Sequence, residues 1–150
     1  MYEYKCTVAH IVDGDTVDIL IDLGFKTFVL KRVRFDGINA PESRTKNKRE
    51  KVHGLYAKAW VKRMFAQATT ITVLTKQEKG KYGRLVGRFI LEIPELDEPV
   101  DLTDTMLKHG YGYEYSGGRR WAYSTLLRRH PMLKLTSDEA MKMAKTKTRK

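Results

Sequence analysis

Residues Val8–Leu23 read VAHIVDGDTVDILIDL, and this stretch decides which fold we expect. A run of apolar residues ends in the polar turn Asp13-Gly14-Asp15, and apolar and polar residues then alternate from Thr16 to Leu23. Alternation with a period of two is typical of a strand that is buried on one face, and two strands joined by a short Gly-containing turn form a β-hairpin. Asp15 has the parity of the apolar Val17, so if the strand is already regular at Asp15, its carboxylate points to the core side at the end of the strand.

Outward from this hairpin, the chain is divided into further short elements. Strands are expected at about residues 25–35, 70–75 and 84–91, and apolar residues at helical spacing predict a helix beyond Gly54. Shorter helices are expected at 101–109 and 119–129, the second ended by Pro131. Five strands interrupted by one helix, with two more helices after them, predict an α+β fold that is mainly β. A five-stranded OB-type barrel with about three packed helices is one such fold.

Two segments are expected to lie outside this packed core. Residues 43–53 hold five basic residues and one acid, which is typical of an exposed mobile loop, with a substrate flap as an alternative because the loop follows Glu42. We expect one domain over residues 1–130 and a basic C-terminal extension over 131–150, weakly helical or frayed, in which Thr136 and Glu139 form a capping box.

Composition limits the class of partner. The chain has 29 Lys and Arg against 18 Asp and Glu, a net charge of +11, which favours a polyanion but does not separate nucleic acid from an anionic membrane. No apolar run approaches the roughly 18 residues that span a bilayer. The single cysteine, Cys6, excludes an internal disulfide. The first residues lack the apolar core of a secretory signal, so we expect an intracellular or virus-encoded product.

Several polar residues at strand ends and in loops suit phosphodiester hydrolysis. This reaction needs cations against the phosphate oxygens, hard oxygen ligands for a divalent metal, and a base for the attacking water. Each candidate is weak alone, because a DGD turn or a lone arginine at a barrel rim is common. The candidates are Asp15, Arg34, Asn39, Glu42 and Arg84.

Three motifs in a fixed order are more specific than any of these residues alone. The segments Val12–Val17, Arg34–Glu42 and Lys81–Arg84 resemble the three signatures of the staphylococcal nuclease (thermonuclease) family. The resemblance covers about residues 7–125. It implies a five-stranded OB-type barrel with three helices, and it implies the Ca²⁺-dependent cleavage of DNA and RNA that secreted members perform.

The resemblance also implies a Ca²⁺ site. Asp15 matches the first calcium carboxylate, Asn39 stands where the family has a second aspartate, and Ala40 matches a residue that contributes its backbone carbonyl. An amide can bind Ca²⁺, but the change removes one negative charge, and ligand charge is a main control of affinity. We therefore expect one weakly bound ion, with a dissociation constant toward ~10⁻³ M.

The remaining roles follow from the same resemblance. Glu42 matches the proposed general base, and Arg34 and Arg84 match the two arginines that grip the scissile phosphate. The resemblance assigns substrate contacts to four more residues: Lys81, Tyr82, Tyr113 and Tyr115. It also implies products with a 3′-phosphate. As partners we expect DNA, RNA or both, with no membrane and no obligate protein partner, and we expect a monomer.

Two alternatives stay open at this stage. A non-catalytic OB module could bind DNA or RNA through the same cationic rim. Trp121 and Tyr123, beside Arg119 and Arg120, could stack on bases or bind phosphate, but packing of the last helix is favoured.

Overall fold

The hairpin expected from Val8–Leu23 is part of a continuous sheet. A computed structural model describes residues 2–77 and 85–148, and in it β1 (Tyr2–Asp13) pairs with β2 (Thr16–Asp22). The other elements, in chain order, are β3 (Phe28–Phe35), β4 (Ile38–Asn39), α1 (Lys48–Gln67), β5 (Thr70–Gln77), β6 (Leu85–Glu92), β7 (Val100–Asp101), α2 (Leu102–His109), β8 (Tyr113–Glu114), α3 (Tyr123–Arg129) and α4 (Pro131–Thr148).

The large sheet closes on itself. Its strand order is β3-β2-β1-β5-β6-β7, and an additional parallel pairing of β3 with β6, through Arg34 and Val86, joins the two sides. Closure leaves five strands in a mixed barrel, with β4 and β8 forming a separate two-stranded ladder. The predicted OB-type α+β fold is confirmed.

The barrel interior is filled by the residues that the alternation predicted. Val17, Ile19 and Ile21 of β2 are buried, and the intervening side chains face outward. Phe35 and Phe89 lie with their ring centroids 5.2 Å apart, and Phe65 of α1 contacts both rings from the end of the barrel. Tilted and edge-on aromatic contacts of this kind favour one packing arrangement.

The expectation of a mobile loop over residues 43–53 was wrong for its second half. Helix α1 begins at Lys48, and the Asn47 side chain caps it by accepting a hydrogen bond from the backbone N–H of Glu50 at 3.1 Å. The basic residues of this stretch are exposed, but Glu50 and His53 are buried. The high density of charge concealed the start of the helix, because the buried side chains of its first turns, Glu50 and His53, are polar.

The C-terminal region also differs in detail from the expectation. Pro131 does not only end α3; it is the first residue of α4, a position that suits proline because the first helical N–H has no intrahelical partner. Thr136 lies inside α4, not at its N-terminus, and is buried together with Leu133 and Ala140. Residues 131–148 therefore form a helix that packs against α1.

Two features of the composition have structural counterparts. Cys6 is buried in the barrel, and this burial raises the pKa of its thiol to about 12. Among the described residues, no helix is both long and apolar enough to cross a membrane.

A buried chain of hydrogen bonds joins α1, α3 and α4. His53 is fully buried, with Nδ1 2.9 Å from the Tyr123 hydroxyl and Nε2 2.8 Å from Thr136 Oγ1. The Thr136 hydroxyl donates to the Gly110 carbonyl at 2.5 Å, so it accepts from Nε2–H, and Nδ1 accepts from Tyr123. The network is thus satisfied with a neutral imidazole. Burial, with a smaller contribution from the charge of Arg49, lowers the pKa of His53 to about 4.

This network predicts a pH dependence of stability. Because the folded-state pKa lies below the unfolded value of about 6.5, the contribution of neutral His53 is complete above that value and is lost as the pH falls toward 4. Between pH 7 and pH 4.5 the free energy of unfolding should fall by about 2–3 kcal/mol from this group. This fall is measured by urea unfolding at both pH values of wild type, His53→Gln and His109→Gln, an exposed-site control. An equal fall in all three proteins would contradict the assignment.

Candidate functional site

The turn between β1 and β2 holds the chain that follows β4. Asp15 Oδ2 accepts a hydrogen bond from the Ala40 backbone N–H at 2.9 Å, and Asp13 accepts one from the Ser43 hydroxyl. A Cβ on Gly14 would lie 2.8 Å from the Cβ of Ala40, so the turn needs a glycine to approach this closely. Asp15, a half-buried residue in the turn before β2, thereby fixes the segment 40–43 against the barrel mouth.

Arg34 lies beside this turn at the end of β3. It pairs across the sheet with Thr16, and the next residue, Phe35, donates its N–H to the Asp15 carbonyl at 2.8 Å. The Arg34 guanidinium lies 5.6 Å from the ring centroid of Tyr115 and donates to the Phe35 carbonyl at 3.1 Å. The strand register thus holds the backbone of Arg34 close to that of Asp15, and the half-buried Arg34 side chain lies over the ring of Tyr115.

Helix α1 supports Glu42 from the opposite side. The Glu42 backbone N–H donates to Glu50 Oε2 at 3.3 Å. Gly54, one turn further along α1, packs directly on the backbone of Glu42 and Ser43. The Glu42 side chain itself is half exposed, and its carboxylate faces solvent at the rim of the site.

Arg120 joins the groups on either side of this site. Its Nη1 lies 2.6 Å from Glu42 Oε1, and its Nη2 donates to the Ala40 carbonyl at 2.9 Å. The guanidinium thus neutralises one carboxylate and occupies the backbone oxygen of the residue whose N–H is bound by Asp15. A two-point contact of this kind is geometrically selective for arginine.

The β4–β8 ladder brings two tyrosines to the site in different environments. Asn39 pairs with Tyr113, which is 3% exposed, and the Tyr113 hydroxyl has no hydrogen-bond partner among the described residues. Burial raises the pKa of this phenol, and the charge of Arg120 opposes the rise. Tyr115 is only half buried, and its N–H donates to the Gly37 carbonyl at 3.0 Å. Its ring, beneath Arg34, is the more accessible of the two.

The donor set can be tested for a divalent cation. No group of three His, Cys, Asp or Glu side chains gathers within the described ranges in a way that would hold a metal. The oxygens near the turn are the Asp15 carboxylate, the Asn39 amide and the Ala40 carbonyl, all of which are hard ligands suited to Ca²⁺. The set fits Ca²⁺, with a single formal negative charge.

The structure brings together seven of the ten residues predicted from the sequence: Asp15, Arg34, Asn39, Ala40, Glu42, Tyr113 and Tyr115. The other three, Lys81, Tyr82 and Arg84, lie outside the described residues. Sequence reasoning did not assign Asp13, Glu50 or Arg120 to the site. Asn47 three residues before Glu50 signalled a helix start, but nothing local to Arg120 signalled its contact with residues 80 positions away.

Comparison with known proteins places the chain in a family. A family-level sequence profile described as staphylococcal nuclease homologue matches residues 32–144, well over half of the chain. The match begins within β3, so the Asp13-Gly14-Asp15 turn precedes it. A search of curated proteins gave no significant match.

The close approach of α1 to Glu42 gives a prediction at Gly54. An added Cβ would lie 2.5 Å from the Glu42 carbonyl oxygen and 2.6 Å from the Ser43 nitrogen, so α1 or the segment 40–43 must move. Gly54→Ala should therefore lower the free energy of unfolding in urea by about 1–3 kcal/mol. In an open helix the same change is stabilising by up to about 1 kcal/mol. A gain in stability would contradict the described packing.

Proposed function

The chain belongs to the staphylococcal nuclease homologue family, and from this membership and the geometry of the site we propose that it is a Ca²⁺-dependent phosphodiesterase that hydrolyses DNA, with RNA as a second substrate. Family membership supports nuclease or nucleic-acid-binding activity in general. The finer proposal depends on the particular side chains that the barrel brings together. By family analogy the products carry a 3′-phosphate and a 5′-hydroxyl.

One observation carries the proposal. Asp15 and Arg120 bind the N–H and the carbonyl of the same residue, Ala40, while Arg120 also contacts Glu42 and β3 presents Arg34 beside Asp15. From these contacts we infer that two carboxylates and two guanidiniums from distant parts of the chain face one region at the barrel mouth. A phosphodiester in this region would find cationic donors and a free carboxylate oxygen at once.

Each side chain has a separate role in the proposed hydrolysis. Arg34 binds the phosphate oxygens and stabilises the charge that develops on them in the transition state. Glu42 accepts the proton of the attacking water: Oε1 is held by Arg120, and Oε2 has no hydrogen-bond partner among the described residues. The family resemblance gives Arg84 the role of a second phosphate arginine, next in sequence to Leu85, where β6 begins.

Asp15, Asn39 and Ala40 are the residues that would hold Ca²⁺. When bound, the ion supplies positive charge against the phosphate oxygens and lowers the pKa of water beside it. The Ala40 carbonyl is already an acceptor for Arg120, so a cation at this oxygen competes with the guanidinium. Both this competition and the neutral Asn39 side chain favour weak binding of the ion without substrate.

A second function is favoured by one specific contact. Arg120 lies 2.6 Å from Glu42, and a module that only binds nucleic acid could keep the proposed base neutralised in this way. Binding without cleavage in any divalent metal would favour this alternative over hydrolysis.

The primary test is cleavage of a plasmid with Ca²⁺ and with EDTA. Wild type should nick and then degrade the plasmid only with the metal. Arg34→Ala should lower kcat by ~10²–10³, the cost of removing one preorganised donor from a developing oxyanion.

Arg32→Ala is the matched control for Arg34→Ala. Arg32 lies on the same face of β3, two residues away, but its guanidinium is bound by Asp18 at 2.8 Å and is 64% exposed. The Arg32→Ala variant should cleave DNA at close to the wild-type rate. Equal rates for the Arg34 and Arg32 variants would remove Arg34 from the proposed mechanism.

The charge of the cation site gives a separate prediction. Asn39→Asp adds a negative ligand and Arg120→Gln removes a positive competitor, so each should tighten Ca²⁺ binding at least about fivefold. Amide chemical shifts during a Ca²⁺ titration measure the dissociation constants without any cleavage. Arg63→Gln, which removes the same charge on the exposed face of α1, is the control. Equal constants for all the proteins would contradict the proposed ligands.

A further inference from the structure

The segment that follows the site tyrosines is strongly cationic. Residues 115–137 contain no Asp or Glu but carry five basic side chains, Arg119, Arg120, Arg128, Arg129 and Lys134. Only Arg120 and Lys134 form ion pairs with carboxylates in the described part of the chain. The other three arginines are exposed, and Arg128 makes only a 3.3 Å contact to Thr125. Such a surface fits a polyanion.

Trp121 stands exposed in the middle of this segment. Its side chain is 54% exposed, and the Arg129 guanidinium carbon lies 4.0 Å from its ring centroid. The other tryptophan, Trp60, is instead stacked on Tyr111 at 4.4 Å and packs against the core. The sequence favoured packing for both Trp121 and Tyr123; packing holds for Tyr123, which joins the His53 network, but Trp121 remains open to solvent.

The Trp121 surface is continuous with the proposed active site. Arg120, the residue before Trp121, contacts Glu42 and the Ala40 carbonyl, while Arg119 and Trp121 on either side of it are exposed. Arg120 thus joins the exposed segment to the site, and a nucleic-acid strand that extends from Glu42 along this segment would reach the Trp121 ring. An aromatic ring among unpaired arginines is the arrangement that binds single strands, because bases stack on the ring and phosphates contact the cations.

We propose that Trp121, Arg119, Arg128 and Arg129, here called the Trp121 platform, form a second subsite that binds single-stranded nucleic acid beside the scissile phosphate. An unpaired base stacks on the ring of Trp121, which Arg129 holds in place, and the exposed guanidiniums contact flanking phosphates. A paired base is already stacked within its duplex, so the platform selects single-stranded substrate. The inference rests on the proposed function, because it assigns the substrate class of that same site.

Tryptophan fluorescence reports on this subsite without catalysis. The chain has two tryptophans, so Trp60→Phe leaves Trp121 as the only reporter and Trp121→Phe leaves Trp60. Both proteins are titrated in EDTA with an oligothymidylate of about eight nucleotides, within the usual site size of an OB fold. The Trp121 reporter should be quenched on binding, and the Trp60 reporter should not respond.

Affinities of variants measured with a labelled oligonucleotide complete the test. Trp121→Ala should weaken binding roughly 5- to 150-fold, the range for loss of one base stack. Replacement of both Arg119 and Arg128 by Gln should reduce the slope of log K against log[salt] by about 1.4. Arg63→Gln, an exposed charge on α1, should change neither the affinity nor the slope by a comparable amount.

Three results would overturn the Trp121 platform. The first is no quenching of Trp121 and no loss of affinity in Trp121→Ala. The second is equal affinity and quenching with a duplex. The third is quenching that depends on protein concentration without oligonucleotide, which would make the surface a contact between copies of this chain. The binding measurements are made in EDTA and do not depend on cleavage. If wild type cleaves a plasmid with Ca²⁺ but the Trp121 fluorescence does not change on oligonucleotide binding, only the Trp121 platform is refuted. Absence of cleavage would count only against the proposed function.

Discussion

The hydrogen bond from the Ala40 N–H to the Asp15 carboxylate, 2.9 Å long, joins the first hairpin to the segment that carries Ala40 and Glu42. A charged acceptor makes this bond stronger than one between neutral groups. Gly14 lets the turn approach Ala40, and Asp13 binds Ser43 three residues further along. The segment 40–43 is thereby held at both ends, and the position of Glu42 follows from it.

Charge balance explains why the site is built from arginines as well as carboxylates. Without substrate, Arg120 compensates the charge of Glu42 and donates to the Ala40 carbonyl, while the Asp15 carboxylate is held by uncharged donors. A bound phosphodiester adds negative charge that Arg34 and the cations around Trp121 can meet. Arg120 contacts Glu42, the proposed base, and is next in sequence to the exposed Arg119. A substrate phosphate that contacts Arg120 would therefore change the charge beside Glu42.

Local patterns predicted most of the fold but only part of the site. Alternation in β2 identified its buried face, but Asp15 lies in the turn before β2, so the parity of the strand does not fix the direction of its carboxylate. The start of α1 was missed because its buried side chains, Glu50 and His53, are polar and carry no apolar signal. The contact between Arg120 and Ala40 joins residues 80 positions apart, and no spacing within the chain encodes such a contact. The exposure of Trp121 likewise depends on where α3 and α4 pack.

The cleavage rate of a single-stranded oligonucleotide by the Glu42→Gln variant, at saturating Ca²⁺, is the most direct test of the proposed role of Glu42. The amide still accepts a hydrogen bond from Arg120 but cannot take a proton from water. We expect a loss of ~10²–10⁴ in rate, the usual contribution of a general base, with oligonucleotide affinity in EDTA unchanged. Cleavage by Glu42→Gln at the wild-type rate would contradict the proposal that this carboxylate activates water at the barrel mouth.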